Sequence, residues 1–362
     1  MITIGIDGNE ANVEKRVGIG EHSFQLLSEF EKLNPQNIDF LIYLKEKPLA
    51  HMPKERKGWK YKRVKPRKFW TQLGLPLSLF MSLRKPNIFF TPSHYAPRFS
   101  PVPTAITIHD LGYIHYPELF AKKDLYQLVN WTKYSAQKAK VIFTVSNSTR
   151  NDIIKEYKVE PEKVIVTYSG IKPKMENPKN KTIEGKYILF VGTLQPRKNI
   201  SKLVEAFSKV KDKDIKLVIA GKKGWLYEDI LQSPRRFDVE DRVKFLDFVS
   251  DEELVSLYEN ALCFVLPSLY EGFGLPVLEA MKYGCPVITS NVSSLPEAGG
   301  DAALYFDPND AEDIARTIEK VVGDEGLRKE MSKKGLERVK QFSWEKTAKE
   351  TLEVLQELGK SS

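Results

Sequence analysis

The sequence predicts an α/β protein made of two doubly wound parallel-sheet domains in tandem. Short β-rich apolar runs alternate with helical periods along the chain, the pattern of parallel strands covered by helices. The length, 362 residues, exceeds what one ordinary hydrophobic core serves and suits two domains. The alternation also stops once, at a polar stretch rich in lysine and carrying prolines, and then restarts.

Taken in order, residues 1–171 form the first predicted domain. Its strands are expected at 2–7, 38–44, 88–90, 104–108, 141–145 and 164–167, and its helices at 21–33, 118–139 and 148–157. Residues 172–186 read as the linker. The second domain, 187–342, is expected to hold strands at 187–191, 216–220, 243–246, 263–266 and 286–289. A last helix over 344–358 starts after a plausible N-cap at Ser343, and segment 343–362 is expected to pack back toward the first domain. In such sheets ligands bind beyond the carboxyl ends of the strands, so the chemistry is sought in those loops.

Composition narrows the function. With 41% hydrophobic and 29% charged residues the chain reads as globular. No apolar run approaches the roughly 20 residues that span a bilayer. The amino terminus lacks a charged leader and a cleavage site, so it reads as a buried first strand rather than a signal peptide. Cys263 and Cys285 form no CxxC and sit in apolar runs, as reduced core residues would, which points to the cytoplasm. The net charge of +8 is concentrated: residues 54–68 hold nine Lys or Arg against Glu55 alone. Trp59 and Tyr61 are interleaved there, and Phe69, Trp70 and an apolar stretch follow. This basic-aromatic segment, 54–70, suits an anionic membrane surface or a phosphate-bearing lipid, with Lys60, Lys62, Arg63 and Trp70 as candidate contacts. The plainer alternative is a solvated loop. No nucleic-acid motif accompanies the charge, and nucleic acid is not expected as a partner.

The richest segment is Glu271-Gly272-Phe273-Gly274-Leu275-Pro276-Val277-Leu278-Glu279. Pro276 suits the first position of a helix, and the amides of Phe273, Gly274 and Leu275 before it can face an anion. Two carboxylates beside a phosphate cradle need another target, and ionised carboxylates accept hydrogen bonds from sugar hydroxyls. Phosphate plus polyol describes a nucleotide sugar. The plainer alternative is a strand-to-helix turn with Glu279 in the first helical turn, where acids are favoured anyway.

Other loops add to this. Gly18-Ile19-Gly20-Glu21-His22-Ser23 resembles GxGxxG, but Ser23 replaces the third glycine and the loop is long for a dinucleotide fingerprint. His109-Asp110 follows a strand at the ligand-binding side of a sheet. His94 follows strand 88–90 and could line the same side. Arg197-Lys198, after strand 187–191 and before a helix, is placed to grip a pyrophosphate. Asp212-Lys213-Asp214 is a literal D-x-D, but it precedes strand 216–220, on the side away from ligands. No essential metal or cofactor is therefore expected.

These pieces in this order resemble the family-4, group 1, retaining glycosyltransferases of the GT-B fold, with segment 271–279 matching that family's E-x7-E motif. Gly221-Lys222-Lys223-Gly224-Trp225, Leu266-Pro267-Ser268 and Ser293-Ser294-Leu295-Pro296-Glu297 strengthen the resemblance. It implies two Rossmann-like domains facing a central cleft. It implies Glu279 on the ribose, Glu271 on the donor sugar with the 273–275 amides, and Lys198 helped by Arg197 on the pyrophosphate. It implies His109 near the donor sugar, Gly18 and Gly20 near phosphate and acceptor, and Gly221, Lys222 and the Phe248–Val249 backbone near the base. Many relatives carry Arg after the strand-ending glycine, where this chain has Thr193, so Arg197 is expected to supply that charge.

The mechanism implied by the resemblance is front-face attack through an oxocarbenium-like transition state. Fixed cations and helix amides stabilise the leaving nucleoside diphosphate. The second half resembles bacterial mannosyltransferases of polysaccharide assembly, which makes GDP-mannose the first expected donor and a UDP-sugar the second. The expected acceptor is a glycan or lipid-linked glycan, and the expected location is cytoplasmic, peripheral on the inner membrane face. A glycoside hydrolase also uses paired acids but has no need of Arg197-Lys198. A nucleotide-sugar epimerase and a non-catalytic nucleotide-sugar-binding protein are the remaining alternatives.

Overall fold

The structure, a computed structural model, describes residues 1–176 and 182–361. Part of the expected linker, 177–181, and the last residue of segment 343–362 lie outside the described residues. The chain divides into two units, Met1–Gly170 with Ser343–Ser362, and Ile171–Phe342.

The first unit is built on β1 (Ile2–Asp7), β2 (Ile38–Leu44), β3 (Trp59–Arg63), β4 (Ile88–Thr91), β5 (Thr104–Ile108), β6 (Val141–Thr144) and β7 (Val164–Val166). They pair in the order β3-β2-β1-β4-β5-β6-β7, every pair parallel. Strands covered on both faces read as continuous apolar runs, and β4, β5 and β6 are buried along their whole length. Helix Ile19–Leu33 lays Leu26, Leu27 and Phe30 on the sheet and ends at Asn34, whose left-handed backbone returns its N–H to the Phe30 carbonyl. The final helix, Trp344–Lys360, belongs to this unit. Ser343 caps it by accepting from the Lys346 amide, and Trp344, Ala348, Leu352 and Leu355 join the core of Ile2, Ile4 and Ile88.

The second unit holds β8 (Tyr187–Val191), β9 (Lys216–Ala220), β10 (Val243–Leu246), β11 (Cys263–Leu266), β12 (Val287–Ser290) and β13 (Ala303–Phe306). Their order is β10-β9-β8-β11-β12-β13, again all parallel. Helix Asp251–Asn260 between β10 and β11 starts in a capping box of Ser250 and Glu253. Cys263 and Cys285 are buried free thiols.

Strands β3 and β13, one at an edge of each sheet, are not among the expected strands. Segment 54–68 is not one loop: Trp59–Arg63 is the edge strand β3, with Trp59 fully buried and Lys60 and Arg63 exposed, charges of the kind that protect an open edge. The apolar stretch after it winds as Trp70–Gly74 and Leu75–Phe80, and buries Trp70, Leu75 and Leu79.

Candidate active site

Both sheets reverse their strand order once, beside the first strand of each unit. In the second unit this happens between β8 and β11, whose following loops leave in opposite directions and open a crevice at the carboxyl edge. Arg197 and Lys198 sit in the 3₁₀ turn Pro196–Lys198 after β8, and Glu271 sits in the loop after β11. A backbone bond from Leu269 N–H to the Arg197 carbonyl, 3.0 Å, ties the two loops together.

The three charged side chains meet. Lys198 Nζ lies 2.5 Å from Glu271 Oε1, and Arg197 Nη1 lies 3.3 Å from Oε2 while also donating to the Tyr270 carbonyl. Ser268 Oγ donates to Glu271 Oε1 at 2.6 Å. The Glu271 backbone is held too: its N–H reaches Ser293 Oγ at 3.0 Å and its carbonyl accepts from Ser294 Oγ at 2.8 Å. Lys198 and Glu271 are only 8% and 7% exposed. Burial pushes the Glu271 carboxyl up, but Lys198, Arg197 and the bonds from Lys198 and Ser268 outweigh it and hold the pKa down at about 2. The result is a fixed carboxylate with two fixed cations. Ser268, Ser293 and Ser294 carry no role in the sequence reading, although all three fall in the motifs that support the resemblance. Only the folded loops show their hydroxyls converging on one acid.

Three residues after Glu271, Gly274 adopts φ +106° as the N-cap of helix Leu275–Lys282. A side chain there would be strained and would press within 2.9 Å of Leu295 Cδ2. Pro276 is the second helical residue, one later than expected. Phe273 is buried and packs edge-on against Phe342 at 5.4 Å. Glu279 is the fifth residue of the helix, not in its first turn, because the helix begins at Leu275. It is half-buried and near enough to Tyr258 to help raise that phenol's pKa, which burial raises most.

Gly221 follows β9 on the same edge of the sheet, where a Cβ would come within 2.0 Å of the Gly192 carbonyl oxygen, so only glycine lets the two loops approach. Lys222 is exposed and its carbonyl accepts from the Leu194 N–H. Val249 is half-exposed beyond β10. Asp212 and Asp214 form a turn before β9, with Asp214 N–H on Asp212 Oδ1 and Lys186 4.0 Å away.

In the first unit the reversal lies between β1 and β4. Gly18 caps helix Ile19–Leu33 and is exposed, whereas Gly20 is buried against the Glu10 carbonyl. His109, after β5, donates from Nε2 to the Pro92 carbonyl at 3.1 Å. A carbonyl only accepts, so Nε2 carries the proton, and a neutral ring then presents Nδ1 as an acceptor. His22 packs edge-on against it at 4.6 Å with Nδ1 3.1 Å from Ser169 Oγ, and His94 stacks at 5.9 Å. Burial lowers the pKa of all three; for His109 the Pro92 carbonyl and Asp110 partly oppose it. Three neighbouring imidazoles are thus neutral near pH 7. Asp7, which ends β1, accepts from Trp70 Nε1 at 2.8 Å. Burial raises its pKa to about 6 against that bond.

The basic-aromatic candidates separate. Lys60 and Arg63 are exposed, but Lys62 turns inward to Ser78 and Ser82, and Trp70 is buried on Asp7. Trp70 therefore cannot be a surface contact, because its indole completes the core beside β1. Among the described residues no helix is long and apolar enough to cross a membrane.

Comparison with known proteins agrees with this architecture. The family of glycosyl transferases group 1 matches residues 171–338, and glycosyltransferase family 4 matches residues 18–174. The O-antigen chain mannosyltransferase B of Escherichia coli is 36% identical over 282 residues, 74% of each chain. Among solved structures, sucrose-phosphate synthase from Thermosynechococcus elongatus superposes with a TM-score of 0.78 at 19% identity over the whole of both chains. Anabaena HepE, solved with UDP and glucose, gives 0.73 at 18% identity over 99% of this chain and 100% of that one. At such identities these two establish the fold alone. From the matched families and the mannosyltransferase relative, the chain belongs to the group 1, family-4 glycosyltransferases of the GT-B fold, and is a transferase enzyme.

Proposed function

We propose that this glycosyltransferase moves a mannosyl residue from GDP-mannose to a glycan or lipid-linked glycan. On this reading it retains the anomeric configuration, needs no metal ion, and works at the cytoplasmic face of a membrane. The observation that carries the reading is the Glu271–Lys198–Arg197 cluster at the strand reversal of the second unit. The likeness to an O-antigen mannosyltransferase supports mannose as the sugar.

Lys198 and Arg197 bind the donor's diphosphate together with the amides at the start of helix Leu275–Lys282. As phosphate takes the cations, the Glu271 carboxylate turns to accept from the donor sugar's hydroxyls, and Glu279 accepts from the ribose. Gly221, Lys222 and Val249 lie toward the base. In the first unit, His109 Nδ1 accepts from a sugar hydroxyl, and the backbone at Gly18 and Gly20 faces phosphate and acceptor. The acceptor oxygen attacks the anomeric carbon as the bond to the phosphate oxygen breaks. The acceptor's proton passes to that oxygen, and nucleoside diphosphate leaves against the fixed cations.

Release of GDP or UDP from GDP-mannose and UDP-glucose, with and without EDTA, tests this reading. GDP release from GDP-mannose unaffected by EDTA, with an α-configured product by NMR, is the expected result. Release only from UDP-glucose would replace the donor, and release from neither would overturn the proposal.

A further inference from the structure

Residues 56–109, fifty-four in a row, hold eleven Lys or Arg and no Asp or Glu. Within this acid-free span, six of the sixteen large apolar side chains exposed among the described residues crowd into residues 69–83. They are Phe69, Leu73, Leu77, Phe80, Met81 and Leu83, and the least exposed, Leu77, is still 45% open. Phe69, Leu73 and Leu77 follow at intervals of four, so the winding Trp70–Gly74 and Leu75–Phe80 brings them to one side. The opposite side of the same segment is the buried one, with Trp70, Leu75 and Leu79. This short helical segment thus carries apolar side chains on both its buried and its exposed side, with Gln72, Ser78 and Ser82 half-exposed among them.

The cations surround the bare half. Lys62 Nζ reaches the Ser78 carbonyl and Ser82 Oγ, which fastens β3 alongside, and Lys85 Nζ lies 5.9 Å from the Phe80 ring. Lys60, Arg63, Lys65, Lys68, Arg84 and Lys85 are exposed, and none of them is in an ion pair among the described residues. Arg67 is matched by Glu46, and Arg56, at the start of the span, by Glu31. A second copy of this face would bring like charges together with no acids to answer them, so self-association is disfavoured.

We infer that this face docks on an anionic lipid bilayer, with Phe69, Leu73, Leu77, Phe80, Met81 and Leu83 entering the interface and the cations resting on headgroup phosphates. It rests on the proposed membrane location and sharpens it: the inserting element is 69–83, not the tryptophans at 59 and 70.

Vesicle co-sedimentation of the full chain without donor or acceptor tests this apart from the transferase chemistry. Wild type is expected to sediment with phosphatidylglycerol-containing vesicles at low salt and to stay in solution with phosphatidylcholine alone. Leu77→Ser, Phe80→Ser and Met81→Ser combined should weaken binding at least tenfold with an unchanged melting temperature, since all three are exposed. Lys65→Gln, Lys68→Gln, Arg84→Gln and Lys85→Gln combined should remove most of the salt dependence. The inference is overturned if wild type ignores anionic vesicles, if the triple serine variant binds them as well as wild type, or if the face proves to hold a solution dimer that the triple variant dissolves. None of these outcomes touches nucleotide release, so each reading can fail alone.

Discussion

Lys198 and Glu271 form a buried ion pair in which Nζ sits 2.5 Å from Oε1, and the same carboxylate holds Arg197 through its other oxygen. One acid thus holds both cations of the site and leaves the cluster with one net positive charge. Removing one partner of a buried pair strands the other, at a cost of about 3–5 kcal/mol. Glu271→Ala strands two cations, whereas Lys198→Met leaves Glu271 with Arg197. In urea unfolding the glutamate variant should therefore lose more stability than the lysine variant. The double variant Lys198→Met/Glu271→Ala should lose less than the sum of the two single changes. Strict additivity would show that the pair is not coupled.

Two carboxyls drive stability in opposite directions with pH. Glu271 is depressed to about 2 in the folded chain from 4.5, so its contribution is present above about pH 4.5 and lost as pH falls through about 2. Asp7 is raised to about 6 from 3.8, so the folded state prefers it protonated. Its contribution is present below about pH 3.8 and lost as pH rises through about 6. Asp7→Asn keeps an acceptor for Trp70 and removes the buried charge. At pH 7 the variant should be more stable than wild type by up to about 3 kcal/mol, a gap that closes toward pH 4. Melting temperatures of both proteins at pH 4.5 and 7 check this, and a gap that widens in acid would contradict it.

Gly274 combines a left-handed backbone with a close neighbour, Leu295. Gly274→Ala should cost about 1–3 kcal/mol by strain alone. Because it displaces the helix start proposed to face the donor phosphate, KM for the donor should rise several-fold. A thermal melt and a donor titration measure the two effects, and an unchanged KM would detach this turn from the donor.

Most strands were legible because parallel sheets bury both faces and leave unbroken apolar runs, as in Thr104–Ile108 and Cys263–Leu266. Edge strands broke that rule. Trp59–Arg63 alternates aromatic and basic residues and looks like charged loop until Phe40 and Tyr43 are seen beside it. Ala303–Phe306 is four residues long and offers little signal. Of the site, Glu271, Lys198 and Arg197 could be named from their order relative to strands and helix starts. Their mutual contact could not, since 73 residues separate Lys198 from Glu271 and only the adjacency of β8 and β11 joins them. The inward turn of Trp70 was equally hidden, because its partner Asp7 lies 63 residues away.

The proposed function turns on Arg197 and Lys198, paired with Glu271 until a donor arrives, holding the diphosphate of a nucleotide sugar. Calorimetric titration of GDP into wild type and into Lys198→Met/Glu271→Gln tests it most directly, since the double change removes the Lys198–Glu271 pair together and leaves Arg197 its bond to the Tyr270 carbonyl. Wild type should bind GDP more tightly than UDP or ADP, and the double variant, with its fold intact by circular dichroism, should bind GDP at least tenfold more weakly. Equal GDP affinity in the two folded proteins would contradict the account.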